Sequence, residues 1–230
     1  MKRIFLKTDK ISLGDQVPVD KELWSHLKVL RVKEGEEFNF STFYSQFGRI
    51  RYLKENLLEV ISLEEPNFPL PITALCSLTK NSSDLIEKLS ELGVKSLKLF
   101  EAERSVVKNS RKIDRFKKIA ELSASQSNRC FPLEISFYPN LITALNSLEP
   151  GLRLVAALFS ERTPLIKEIK TTPTTFAVGP EGDFTADEYE LLFKNNFKPV
   201  SLGDLVLKSE TAALSMAATI SNMLYSSEDG

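Results

Sequence analysis

The hydrophobic rhythm of the chain changes once. Before residue 70, apolar side chains come in short runs: Ile4-Phe5-Leu6, Glu37-Phe38-Asn39-Phe40, Gly48-Arg49-Ile50-Arg51-Tyr52-Leu53, and Leu57 to Leu63. Runs of this kind, several of them alternating, are the signature of short strands. Between the first two, Lys21 to Arg31 places Trp24, Leu27 and Leu30 at helical spacing. Short strands with one helix predict a small β-barrel over residues 1–68. Pro66, Pro69 and Pro71 then break all periodicity and mark a domain boundary.

From residue 72 the pattern alternates between strand and helix. Ile72 to Leu78 reads as a strand. Asp84 to Leu92 reads as a helix with Leu85, Leu89 and Leu92 on one face, Asp84 and Glu87 as its capping box and Gly93 as its stop. A strand from Val94 to Phe100 precedes a helix from Lys112 to Ser125, which turns Ile113, Phe116 and Ala120 inward. Ile135 to Phe137 is a short extended piece, and Pro139 opens a helix through Leu148. Strands follow at Leu152–Phe159, Thr175–Val178 and Pro199–Leu202. Thr185 and Glu188 cap the intervening helix, Ala186–Asn195. The last helix, Glu210 to Tyr225, is apolar nearly all round, so it is expected to be buried or to pack on a partner. Such alternation predicts an α/β domain with a mostly parallel sheet over residues 72–230.

The last two strands run into glycine-bearing turns: Gly179-Pro180-Glu181-Gly182-Asp183 after the first, Gly203-Asp204 after the second. Loops at the carboxyl ends of parallel strands are where open α/β sheets bind ligands. Glycine lets main chain approach a ligand closely, because no Cβ intervenes. These turns and a helix starting near Ser209 therefore predict a pocket built largely of backbone. The segment is not a phosphate-binding loop: it has neither the Lys-Ser/Thr of a Walker motif nor the spacing of G-x-G-x-x-G. A nucleotide-dependent hydrolase is disfavoured accordingly.

Composition is that of an ordinary globular chain, 42% hydrophobic and 27% charged with a net charge of -1. The distribution of charge is more informative. Residues 71–140 carry 12 basic and 8 acidic side chains, against 7 and 12 in residues 141–230. Within Glu103 to Lys118, seven basic residues, among them Arg104, Lys108, Arg111, Lys112, Arg115 and Lys118, meet two acidic ones. Charge runs are usually just solvated faces. Here the bases are interleaved with Ser and Asn, which also contact phosphates, and they follow a strand end; both features point to a polyanion.

Cys76 and Cys130 are the only cysteines and have apolar neighbours, which suggests a reducing, cytoplasmic setting. With His26 the only histidine, neither a zinc site nor a hydrolytic triad can be assembled, and no metal is expected. A lone histidine on an apolar helix is more often structural than catalytic. No secretory signal and no run long enough to span a membrane is visible.

Taken in order, the motifs identify a resemblance. Arg3-Ile4-Phe5, His26 to Arg31, Glu91-Leu92-Gly93-Val94, Glu103-Arg104-Ser105, Ser123 to Arg129, Val178 to Phe184 and Leu202 to Ala212 are together similar to the RsmE family of SPOUT methyltransferases. That family methylates N3 of a uridine in 16S ribosomal RNA with S-adenosylmethionine. The resemblance implies an N-terminal PUA-like RNA-binding barrel, a C-terminal domain with a deep trefoil knot, and a homodimer with cofactor pockets near the subunit interface. It implies cofactor contacts from Leu158, Phe159, Ser160, Gly179, Pro180, Glu181, Gly182, Leu202, Gly203, Val206, Leu207, Lys208, Thr211 and Ala212. RNA contacts are expected from Arg31, Arg104, Lys108, Arg111, Lys112, Arg115, Lys118 and Arg129. Arg3, Lys208 and Glu210 are the candidate catalytic residues, with Arg3 reaching across the dimer. The chain departs from the family pattern at Asp183, usually a second glycine; at Leu205 and Lys208, usually arginines; and at Ser209, usually threonine. These departures motivate a rival reading, an RNA-binding dimer that keeps the fold without turnover.

Overall fold

The computed structural model describes residues 2–8, 10–42, 46–65, 68–105, 113–127, 129–158 and 173–227. The chain divides into two compact units, Met1–Phe68 with Glu121–Pro132, and Pro69–Ala120 with Leu133–Gly230. The first unit is discontinuous. Residues Glu121–Pro132, which the sequence pattern groups with the α/β half, cluster with the N-terminal strands instead.

In the first unit, strands β1 (Arg3–Leu6), β2 (Gln16–Pro18), β3 (Glu37–Thr42), β4 (Phe47–Tyr52) and β5 (Leu57–Glu64) form one sheet in the order β1-β3-β4-β5-β2. The β1–β3 pair is parallel and the others are antiparallel. Strand β2 carries no pattern of its own: it is three residues long and ends on a proline, which suits an edge. Helix α1 (Lys21–Val29) starts where the Asp20 carboxylate accepts from the Leu23 amide at 2.7 Å, an N-cap. Its Leu27 joins Ile4, Leu6, Phe38, Phe40, Ile50, Leu58 and Val60 in one apolar core. His26 lies half-buried on this helix, and burial lowers its pKa below the ordinary imidazole value. This matches a packing role.

The second unit contains β6 (Leu70–Ser77), β7 (Val94–Phe100), β8 (Glu134–Tyr138), β9 (Leu152–Ala156), β10 (Thr174–Val178) and β11 (Lys198–Val200). They form a six-stranded sheet in the order β11-β9-β10-β6-β7-β8, and every pairing is parallel. Side chains alternate between its faces. Ala74, Cys76, Leu154, Phe176 and Val178 enter the core shared with helices α2 (Ser82–Glu91), α3 (Ile113–Gln126) and α6 (Ser209–Ser227). Leu75, Val155 and Ala177 enter the other, with α4 (Leu141–Leu145) and α5 (Ala186–Lys194). A parallel sheet covered on both faces explains why its strands read as continuous apolar runs. Cys76 is fully enclosed, and burial raises its thiol pKa to about 12, so it stays protonated.

Two helix starts differ from the sequence pattern. Asp84 and Glu87 do not cap α2, which begins two residues earlier after Asn81 and without a side-chain cap. The Ser82 hydroxyl accepts from the Thr79 amide at 3.0 Å and donates to its carbonyl at 2.9 Å, fixing the turn there. Helix α4 is shorter than Pro139–Leu148, and its N-cap is Asn140, whose side-chain oxygen accepts from the Thr143 amide at 2.9 Å. The capping box at α5 forms as its sequence implies, with Thr185 and Glu188 each bonded to the other's amide.

Candidate functional site

The order of the second sheet positions the site. The chain runs outward through β6, β7 and β8, returns on the far side as β9, and inserts β10 between β9 and β6. The direction of winding thus reverses beside β6, and the cleft outside the strand ends at such a reversal is the natural ligand site. A cavity of about 260 Å³ lies there. Ala156, Ala157 and Leu158 line it from the end of β9, Val178 to Glu181 and Asp183 from the end of β10, Leu202 to Ser209 except Asp204 from the loop after β11, and Ala212 from α6.

Hydrogen bonds hold these loops in register. The buried Ser209 hydroxyl donates to the Gly179 carbonyl at 2.6 Å, pinning the first turn of α6 to the end of β10. Arg104 donates to the Gly182 carbonyl at 2.9 Å, and the Glu103 amide donates to the Glu188 carboxylate at 3.0 Å, so the segment after β7 braces the glycine loop. Space is tight around Gly179, where a Cβ would lie 3.1 Å from the Phe184 ring and amide. Gly203 has φ +121°, a conformation L side chains rarely adopt.

Asp183, where the resemblance leads one to expect a second glycine, has φ +60°. Its amide donates to the Pro180 carbonyl at 3.0 Å, and one carboxylate oxygen accepts from the Phe184 amide at 2.8 Å and the Tyr189 hydroxyl at 2.9 Å. Aspartate tolerates the left-handed region because its short side chain bonds locally, so the loop closes here without the second glycine. Burial and the adjacent Asp183 charge push the Tyr189 hydroxyl pKa well above its ordinary value, keeping it a donor.

Of the residues expected to hold a cofactor, Leu158, Gly179, Pro180, Glu181, Leu202, Gly203, Val206, Leu207, Lys208 and Ala212 line the cavity. Phe159 and Ser160 lie outside the described residues. Gly182 and Thr211 are not among the lining residues; Gly182 serves instead as the acceptor for Arg104. Ala156, Ala157, Val178, Asp183, Leu205 and Ser209 also line the cavity, beyond the cofactor contacts the resemblance implies. The alanines and Val178 belong to strand ends whose inward face only the topology reveals.

The candidate catalytic residues separate. Lys208 is exposed at the cavity. Glu210 does not line it; its carboxylate accepts from the Thr79 hydroxyl at 3.1 Å and ties α6 to the loop after β6. Arg3 is only 6% exposed, inside the first unit. Its guanidinium donates to the Ser41 hydroxyl at 2.7 Å and to the Cys130 sulfur at 3.3 Å, and its carbonyl accepts from Ser125. In that environment Arg3 fastens residues 121–132 to β1 and β3.

The basic residues separate likewise. Arg31, Arg104, Arg115 and Lys118 are exposed, while Lys108, Arg111 and Lys112 lie outside the described residues. Arg129 is 8% exposed and belongs to the first unit. No cluster of histidine, cysteine or carboxylate among the described residues could hold a metal ion. None of their helices is long and apolar enough to cross a membrane. The cavity therefore offers main chain, apolar wall, one lysine and two carboxylates, a set suited to gripping and orienting a ligand.

Comparison with known proteins agrees with this geometry. The sequence profile of an RNA methyltransferase domain matches residues 66–221. The ribosomal RNA small subunit methyltransferase E of Synechocystis sp. is 29% identical over 215 residues, covering 86% of this chain and 70% of that protein. Its namesake from Aquifex aeolicus is 27% identical over 207 residues, covering 86% and 90%. Among solved structures, the ribosomal RNA small subunit methyltransferase E of Neisseria gonorrhoeae, bound to S-adenosyl methionine, superposes with a TM-score of 0.85 at 25% identity over 97% of this chain and 98% of that one. A profile match across more than half of the residues, centred on the unit that contains the cavity, places this chain in the RNA methyltransferase domain family.

Proposed function

We propose that this chain transfers a methyl group from S-adenosylmethionine to N3 of a uridine in 16S ribosomal RNA of the small subunit, in the cytoplasm. The observation that carries the reading is the cavity at the carboxyl ends of β9, β10 and β11, walled by backbone and small side chains. The Neisseria relative, similar along nearly the whole chain, binds this methyl donor. The residues present suit it. Gly179, Gly203, Ala156, Ala157 and Ala212 leave room for a flat purine between main-chain walls, and Leu202 and Val206 offer apolar contact. Glu181 carries a charge that complements the donor's ammonium.

When bound, the donor supplies an electrophilic methyl on a sulfonium sulfur. The chain's task is to place the uridine in line with it and to favour loss of the N3 proton. In the reaction the N3–H and S–C bonds break and an N3–C bond forms. Positioning is worth on the order of 7–11 kcal/mol at best. Lys208, cationic and exposed at the cavity, favours negative charge developing on the uracil ring. Glu210, engaged by Thr79, orients α6. Because N3 is buried in pairing, the base must leave its stack to react.

The first unit is read as a PUA-like RNA-binding barrel, supported by its five-stranded sheet with exposed Arg31. Exposed Arg115 and Lys118 on α3 supply phosphate contacts from the second unit. The loop after β11 and the start of α6 are read as the trefoil knot, supported by the bond from Ser209 to Gly179. A homodimer is supported by Leu205 and Val206, which are 78% and 79% exposed beside the cavity. Apolar side chains so placed suit burial by a second copy.

The test is transfer of labelled methyl to small ribosomal subunits from cells lacking this protein, with the product nucleoside identified by mass spectrometry. A single 3-methyluridine in 16S RNA is expected. Donor binding without transfer would favour the non-catalytic rival, and methylation of a ribose or another base position would refute the N3 chemistry.

A further inference from the structure

Asp183 stands out because the chain holds a charge at a turn where a residue without a side chain would close the loop. It lines the cavity and is half-buried. One carboxylate oxygen accepts from the Phe184 amide and the Tyr189 hydroxyl, at 2.8 and 2.9 Å. Both donors are neutral. They fix the carboxylate in place and bring no opposite charge to it. The high pKa of Tyr189, caused by burial and by this neighbour, keeps the hydroxyl in the donor role. Glu181 adds a second negative charge on the same loop, and Lys208 lines the cavity from the loop after β11. A charge held at a partly desolvated wall acts on a bound ligand more strongly than one in bulk water.

We propose that Asp183 is a specificity-determining residue that makes the cavity prefer a cationic sulfonium ligand over the neutral thioether left after methyl transfer. This rests on the cavity being the site of the methyl donor. In the transfer, the electron pair of the S–CH3 bond stays on sulfur, the methyl joins the base nitrogen, and the nitrogen's proton passes to solvent. The ligand's charge at sulfur falls from +1 to zero. Attraction to Asp183 falls with it, so the same carboxylate that retains the donor lets the spent product leave.

Titration calorimetry of the full chain with S-adenosylmethionine and with S-adenosylhomocysteine, for the unaltered protein, Asp183→Asn and Asp183→Gly, tests this. Asparagine accepts the same two hydrogen bonds and tolerates positive φ, and glycine adopts it freely, so both variants keep the turn. The unaltered protein should bind the sulfonium more tightly than the thioether. Both variants should lose about fivefold to tenfold in sulfonium affinity while thioether affinity stays within about twofold, the scale of one charge–charge contact in a partly wetted site. Parallel weakening of both ligands would mean that Asp183 only shapes the loop, and would overturn the proposal. So would unchanged affinities. If the unaltered protein bound neither ligand, the methyl-donor reading itself would fall with it.

Discussion

Gly203→Val is expected to weaken S-adenosylmethionine binding by about fivefold to a hundredfold with little change in melting temperature, from a backbone strain of order 1–3 kcal/mol. A Cβ at Gly203 would have no heavy atom within 4 Å beyond its chain neighbours. The penalty comes from φ +121°, where a β-branched residue is a true outlier. Gly203 is exposed in the loop after β11, so the chain relieves the strain by changing the turn and leaves the core intact. Leu202 and the stretch from Leu205 to Lys208 line the cavity on either side of it and move with the turn. Calorimetry beside a thermal melt reads both quantities. Unchanged affinity at unchanged melting temperature would show that this loop takes no part in the site.

Gly48→Ala is expected to destabilise the first unit severely, at or beyond the upper end of the roughly 1–3 kcal/mol typical of overpacking. A Cβ at Gly48 would lie 1.9 Å from the Ser62 carbonyl oxygen and 2.8 Å from its carbon. Neither atom can step aside cheaply. Gly48 pairs with Leu63 and Arg49 with Ser62 in the β4–β5 ladder, just before the irregularity at Ile50, and Gly48 also pairs with Phe40 in β3. Urea denaturation followed by Trp24 fluorescence, the only tryptophan and part of this unit's core, reports the loss directly. Donor binding should survive, since every residue lining the cavity belongs to the second unit. A denaturation midpoint unchanged for Gly48→Ala would contradict the described packing of that sheet.

Much of the second unit is legible in the sequence because its signals are local. Strand β7 spans the apolar run Val94 to Phe100, and the box of Thr185 and Glu188 is spelled at its fixed spacing. Turns at Gly179 and Gly203 betray the cavity because main chain near a ligand needs glycine there. Long-range arrangements are not legible. Nothing in β10 announces that it lies between β9 and β6, and that insertion is what gathers Ala156, Ala157 and Val178 around one cavity. The helical pattern of α3 runs unbroken past Ala120, where the chain passes from one unit to the other. Arg3 and Arg129 carry charges that a sequence pattern assigns to a surface, yet both are buried. At Asp84 a local rule met a stronger competitor, since Ser82 and Thr79 close the turn first and draw the helix start toward them. Asp183 is visible in the sequence only as a departure; its role needs the backbone angle and the two donors to be seen together.

The ends of β9, β10 and β11 are proposed to cradle an adenosyl methyl donor together. A crystal structure of the chain grown with S-adenosylmethionine tests it most directly. The donor should lie against Gly179 to Glu181, Leu202, Gly203, the stretch from Val206 to Ser209, and Ala212. Donor found elsewhere on the molecule, or absent at saturating concentration with the loops unchanged, would contradict it.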